Sequence, residues 1–314
     1  MTQPTNTFDS YDAIGNREDL TDMIYNISPT DTPFMTLASR GVAYNTLHEW
    51  QTDSLATAAD NAAVEGDGAS GSAITATTRL NNRTQISQKT IVTSGTQNAI
   101  RTAGRDREQA YQKAKAMSEL KRDMEVALTG NYTAVTGDAT TARHLRSLES
   151  WYTTNTSRGT NGANGSSTQA ATDATTAGIR ALTESLLKTV LQSVYTNGGD
   201  PDVLMVGPFN KQAVSGFAGN ATAFRDSSEQ KLFAGVDVYV SDFGELKVIP
   251  NRFSRARTAH VLDTKYWAVS YLRDFMINPL AKTGDSEQEQ LLVEYTLEAR
   301  NQAASGVIAD LATS

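Results

Sequence analysis

Residues 103–129, AGRDREQAYQKAKAMSELKRDMEVALT, form the longest run of a single period in this chain, and no other stretch restricts the possible folds as much. Ala110, Ala114, Met117, Leu120, Met124 and Leu128 recur at spacings of three and four, which puts them on one stripe of a 3.6-residue helix. Lys115 with Glu119, and Lys121 with Glu125, stand four apart on the charged face, where each pair stabilises a helix by only a few tenths of a kcal/mol. Gly130 and Asn131 end the segment. At 1.5 Å per residue it reaches about 40 Å, more than a small domain needs, so the segment reads as a spine along which other elements are arranged.

The 314 residues suffice for one large core or two moderate ones. There is no Cys, which removes disulfides, thiolate nucleophiles and cysteine zinc sites. Lys and Arg number 28 against 35 Asp and Glu, a net charge of −7, so the surface as a whole is unsuited to gripping nucleic acid, although local basic patches are compatible with it. No apolar run reaches the roughly 18 to 20 residues of a membrane-spanning helix, and MTQPTNTFDS lacks a basic-then-apolar signal pattern. A soluble, non-secreted protein is expected.

In chain order, a polar start leads to a helix capped by Asn16 with Asp19 in its first turn and a stripe of Leu20, Met23, Ile24 and Ile27, stopped by Ser28 and Pro29. Thr32 and Pro33 begin a short helical turn through Leu37, closed by Gly41. Residues 42–51, with Val42, Tyr44, Thr46 and Trp50, and the Thr- and Ile-rich residues 74–93 favour strand, implying a ribbon with a long tip. Between Arg40 and Arg79 there is no cation, while Glu49, Asp53, Asp60, Glu65 and Asp67 are acidic. A two-stranded ribbon is marginal alone in water, so this acidic finger must rest on something, either its own body as a flap or another molecule.

Residues 153–178 are rich in Gly, Ser, Thr and Asn and read as a flexible loop that tolerates shortening. Residues 179–195 read as a helix with Leu182, Leu186, Val190 and Val194 four apart, ended by Asn197, Gly198 and Gly199. A buried strand at 203–206, a short helix after Gly207 and Pro208 carrying Phe209, Ala213 and Val214, and the alternation of Val236, Val238 and Val240 with Asp237, Tyr239 and Ser241 describe an α/β middle. Strands follow at 246–249, 258–262 and 267–277. The last long strand sets Val293, Tyr295 and Leu297 against Glu294, Thr296 and Glu298, and 301–310 continues as strand with an irregularity at Gly306. The fold class is α+β.

Gly66, Gly68 and Gly71 spell the dinucleotide-binding pattern, but Glu65 and Asp67 would repel a pyrophosphate and a β-rich segment follows, so a loop tip is the better reading. His48, His144 and His260 show no metal-ligand spacing and are assigned to packing or hydrogen bonding. The cluster Asn251, Arg252, Phe253, Ser254, Arg255, Ala256, Arg257 is the densest basic patch and suits a solvated turn or a protein interface better than nucleic acid. No catalytic, cofactor or metal site is assigned.

An arm, an acidic ribbon, a spine helix, an α/β middle and a late β segment, in that order, resemble the major capsid fold of tailed bacteriophages, the Hong Kong phage type. The wording of GNREDLTDMIYNISPTDTPFM, HEWQTDSL, NAAVEGD, ELKRDME, LMVGPFNKQAVSGF, PNRFSRAR, PLAKTGD and QLLVEYTLEARNQAASG is similar to the major head proteins of certain short-tailed phages over nearly the whole chain. The resemblance implies a non-enzymatic subunit forming hexamers and pentamers of an icosahedral virion shell around packaged double-stranded DNA, assembled in the host cytoplasm with a portal. It implies an N-arm (1–41), an extended loop (42–93), a P-domain (94–147 and 251–314) and an A-domain (148–250). Some members of the wider fold cross-link through a lysine on the extended loop; here there is no Lys between Arg40 and Arg79, so such a link from that stretch is unsupported. The arm begins within about 15 residues of the start, so any scaffold is expected to be a separate protein. In the resembled fold the extended loop crosses a neighbouring P-domain, which makes Arg101, Arg105 and Arg107 the favoured partners of the finger, with Arg252, Arg255 and Arg257 as the second set. The competing readings are a nucleotide-binding oxidoreductase built on Gly66, Gly68 and Gly71, and a β-rich tail or adhesin protein.

Overall fold

Hydrophobic periodicity accounts for most of the elements in the computed structural model, which describes residues 28–62, 65–66, 68, 71, 74–100, 107–217 and 237–314. The predicted helix around Leu20 to Ile27, with Asn16, Asp67, Arg101 and Arg105, lies outside the described residues. The chain runs α1 (Pro33–Leu37), β1 (Ser39–Val42), β2 (Leu47–Thr52), β3 (Thr78–Arg83), β4 (Gln85–Ser94), α2 (Gly95–Ala99) and α3 (Glu108–Thr129). It continues through α4 (Leu148–Trp151), β5 (Thr156–Ser157), α5 (Glu184–Thr196), β6 (Val203–Val206), α6 (Pro208–Ser215), β7 (Val238–Ser241) and β8 (Gly244–Pro250). It closes with β9 (Ala259–Leu262), β10 (Trp267–Pro279), β11 (Ser286–Ala299) and β12 (Gly306–Ile308).

Two sheets and a ribbon result. The first sheet has the order β1-β10-β11-β4, the second β5-β12-β9-β6-β8-β7, and β2 pairs only with β3. Strand β6 shows why the two sheets share an interior. Its four residues are all buried, and the period of two sends Val203 and Met205 into a core with α3 and the first sheet, while Leu204 and Val206 enter a second core with α5. Leu187, Val190, Leu191 and Val194 of α5 fill that second core, each burial worth about 1.5–3 kcal/mol.

The spine helix is present, but its inward face is rotated from the expected stripe. Leu120, Met124 and Leu128 are buried as expected and Met117 packs against the same core, whereas Ala110 and Ala114 are exposed and Gln109 and Ala116 point inward. Alanine carries too little apolar area to decide a helix face. Lys115 does approach Glu119, at 3.9 Å. The expected Lys121–Glu125 pair does not form, because Glu125 is fully buried.

Three further expectations are corrected. Residues 153–178 are not a floppy loop: they contain β5, a short 3-10 turn at Thr176–Gly178 and a bridge between Ala163 and Thr172. Asp310 ties them down by accepting the N–H groups of Gly159 (2.9 Å) and Ala174 (2.7 Å). Residues 301–310 do not prolong β11; a 3-10 turn at Gln302–Ala304 redirects the chain so that β12 joins the second sheet. In β7 the inward residue is Tyr239, while Val238 and Val240 are exposed. Sheet membership also departs from a division at 250, since β9 and β12 belong with β6 and β8.

Candidate assembly surface

The ribbon is fastened at its base and bare at its tip. Asn82, fully buried, donates to the Arg146 and Leu297 carbonyls (3.0 and 2.7 Å) and accepts from the Arg146 N–H (2.8 Å), an arrangement no smaller side chain can supply. Thr84, at the turn between β3 and β4, donates its hydroxyl to Glu294 at 2.8 Å. Glu294 is buried and bracketed by Arg143 (2.5 Å) and Arg273 (2.8 Å), so its charge is matched on both oxygens. Trp50 donates its indole N–H to the Ala299 carbonyl at 2.8 Å and packs on Trp151. His48 meets Glu298 at 3.2 Å. With Ser270 and Arg300 also donating, these contacts hold the Glu298 carboxyl down at about 2.

Beyond Thr52 the strands separate and residues 53–62 are exposed throughout. Of the predicted finger acids, Glu49 lies within the ribbon and has a partner there, Arg79 at 3.5 Å. Asp53 accepts the N–H of Ser54, and Asp60 and Glu65 are exposed. Sequence reasoning passed over Leu55 and Ile74, which are 99% and 97% exposed. The signal was available: they are large aliphatic side chains set among Ala, Thr, Ser and Gly.

The two arginine sets fare differently. Arg107 is exposed just before α3. Arg255 is not an interface cation; it binds Glu149 and Asp173, both at 2.5 Å, and Arg257 lies 3.7 Å from Asp173. The cause is Glu149, a fully buried carboxylate that also takes Arg158 at 3.2 Å and the Thr258 hydroxyl at 3.2 Å. Arg252 alone of that set is exposed.

A groove of about 270 Å³ opens where α3 ends, between Val126, Tyr132 and Phe253. Val126 and Tyr132 are 40% and 43% exposed, and the Arg122 guanidinium lies over the Phe253 ring, 5.9 Å from its centre.

Gly66, Gly68 and Gly71 do not join a strand to a helix among the described residues; Gly66 forms a turn, and an added Cβ at any of the three would meet nothing within 4 Å. His144 bonds the Leu145 carbonyl and packs on Tyr132, and His260 is stacked on Tyr152. No group of three or more His, Asp or Glu among the described residues is placed to hold a metal ion.

Comparison with known proteins falls on one class. A family model described as SU10 major capsid protein matches residues 3–312. The major capsid protein of Escherichia phage Phieco32 is 28% identical, covering 98% of this chain and 97% of the relative. Among solved structures, the capsid of the cyanophage P-SCSP1u aligns with TM-score 0.63 at 12% identity, over 98% of this chain and 100% of the other. A native GTA particle capsid aligns with TM-score 0.64 at 11% identity, over 96% and 98%.

Proposed function

The chain belongs to the SU10 major capsid protein family and is a structural subunit of a bacteriophage capsid, and from that premise we propose how its copies join. Copies form hexamers and pentamers of an icosahedral shell that encloses double-stranded DNA without sequence-specific contacts. The shell is assembled in the host cytoplasm with a portal and a scaffolding protein. The first sheet with α3 serves as the P-domain and the second sheet with α5 as the A-domain. Residues 28–41 are the inner end of the N-arm, which enters the first sheet as β1, and 42–93 are the extended loop, which returns to that sheet as β4. The role needs no catalytic step.

In this reading the finger lies on a neighbouring subunit. The observation that carries it is the contrast along the ribbon: Asn82, Thr84 and Trp50 fix its base to the body, while residues 53–62 are exposed. So anchored and so bare, the ribbon gains no burial for residues 53–62 against the described residues of its own subunit. Of the described cations first considered, Arg255 and Arg257 are already matched internally while Arg107 and Arg252 are exposed, and these two, with Arg101 and Arg105 of the sequence at the start of the spine, are assigned to Asp53, Asp60, Glu65 and Asp67. Single exposed pairs contribute about 0–1 kcal/mol, but repetition around a shell makes the sum matter and makes it salt-sensitive. Arg105→Glu with Arg107→Glu is expected to weaken shell formation while the subunit stays folded, and Glu65→Lys with Asp67→Lys to restore it in part. Shells that form equally well with the reversal and at any salt concentration would overturn this proposal.

A further inference from the structure

We infer that the groove at the end of α3 is the seat of a second copy's finger, with Leu55 and Ile74 as the inserted side chains. The inference rests on the finger being an inter-subunit arm and adds where it lands and by what chemistry. Leu55 and Ile74 lie three and four residues outside the last paired positions, Thr52 and Thr78, on opposite arms of the ribbon. Their near-complete exposure means that none of the described residues of their own subunit covers them. Two large aliphatic side chains held in water at the end of an anchored ribbon recover apolar burial only on another molecule.

The groove offers the matching surface. Val126, Tyr132 and Phe253 supply apolar walls, two of them substantially exposed. Its flanks are basic where the finger is acidic. Arg252 and Arg122 make no ion pair among the described residues; Arg122 lies over Phe253 and Arg252 precedes it in the chain, while Asp53 stands two residues before Leu55. Nearby acids are already matched: Asp123 pairs with Lys89 at 3.0 Å, and Glu149 and Asp173 with Arg255. A second groove, of about 480 Å³ beside α5, has the opposite character. Glu184 and Asp242 line it, and its Lys188 is taken by Glu184 at 3.0 Å, so it would repel an acidic finger.

Because the chain contains no Cys, engineered pairs report proximity directly. Leu55→Cys with Val126→Cys in assembled shells, treated with a mild oxidant, is expected to give a ladder of chain multiples on a non-reducing gel, since a disulfide forms only when the Cβ atoms approach to about 4 Å. Leu55→Cys with Gln192→Cys, at the groove beside α5, is expected to give none. Independently, Leu55→Asp with Ile74→Asp is expected to raise the protein concentration needed for shells by about tenfold or more, with the unfolding midpoint of the free subunit unchanged. A ladder from the Gln192 pair and not the Val126 pair overturns the groove and keeps the inter-subunit finger. A disulfide confined to single chains, or no disulfide together with normal assembly of the Asp variant, overturns both.

Discussion

Glu125, near the end of α3, accepts the backbone N–H of Phe34 at 2.7 Å, from a residue 91 positions earlier. The same carboxylate takes the Met35 N–H at 3.0 Å and the Asn251 side chain at 2.7 Å. It is thus the cap of α1, whose own Thr32 makes no side-chain cap bond, and it ties the arm to the turn after β8. Glu149 and Glu294 are each bracketed by two arginines, whereas Glu125 is held by N–H groups alone. Burial raises its pKa, and the three hydrogen bonds work against that shift.

Replacing this carboxylate takes the acceptor from the buried Phe34 N–H, the half-buried Met35 N–H and one hydrogen of the buried Asn251 amide, and each buried donor left unpaired costs about 1–3 kcal/mol. Glu125→Ala is expected to lower unfolding stability by about 3 kcal/mol or more and to speed hydrogen exchange across residues 33–38. Glu125→Gln should lose less, since one amide oxygen still accepts. Urea unfolding that places Glu125→Ala within about 0.5 kcal/mol of the parent would remove Glu125 from this role.

His260 makes the subunit sensitive to mild acid. Its two ring nitrogens are buried without a partner among the described residues, and burial, then the charges of Arg255 and Arg158, push its pKa down to about 3. The unfolded chain takes up this proton near pH 6.5, so the contribution is complete above that pH and falls by about 1.4 kcal/mol per unit as pH drops toward 3. His260→Phe, which keeps the stack on Tyr152, is expected to flatten that slope between pH 6.5 and 4. The two proteins would be compared by urea unfolding at several pH values, and equal slopes would contradict the assignment.

Glu298 acts lower on the pH scale. Its lowered pKa means that its stabilisation is complete above about pH 4.5 and disappears as pH falls through about 2. Glu298→Gln is expected to loosen the ribbon base at neutral pH, seen as faster hydrogen exchange in residues 47–52 relative to α5. Unchanged exchange there would show that Trp50 and Asn82 hold the base alone.

The segment 153–178 is expected to resist shortening. A Cβ on Gly159 would lie 2.0 Å from the Gly178 carbonyl oxygen, so Gly159→Val must push the 3-10 turn at Thr176–Gly178 away from the chain after β5. Asp310→Ala would free the Gly159 and Ala174 N–H groups, at a cost of about 2 kcal/mol or more. Deletion of residues 159–162 with full stability and normal assembly would restore the view of a loose loop.

What could be read in advance was whatever depends on local period. Leu120, Met124 and Leu128 placed α3, Val203 to Val206 placed β6, and Val293, Tyr295 and Leu297 placed β11, because a 3.6 or 2.0 repeat needs no knowledge of the partner. Buried charge was not legible. Glu125 looked like one half of a surface pair with Lys121 and Arg255 like an interface cation, and each is explained only by residues about a hundred positions away. The exit of β11 was misread for the same reason. Gly306 sits where a Cβ would lie 2.6 Å from Val190 and 2.8 Å from the Asn155 carbonyl oxygen, a crowding that follows from the second sheet and not from its neighbours in sequence. The acidic finger was read from its charge and from the marginal stability of a two-stranded ribbon, which singled out Asp53 and Asp60 but not the exposed Leu55 and Ile74.

The most direct measurement is a side-chain-resolution electron microscopy reconstruction of assembled shells. The account predicts that residues 53–62 run across an adjacent subunit, with Leu55 seated among Val126, Tyr132 and Phe253 of that neighbour and Arg252 facing Asp53 or Asp60. A finger folded back on its own α3, or standing free in solvent between subunits, would contradict it.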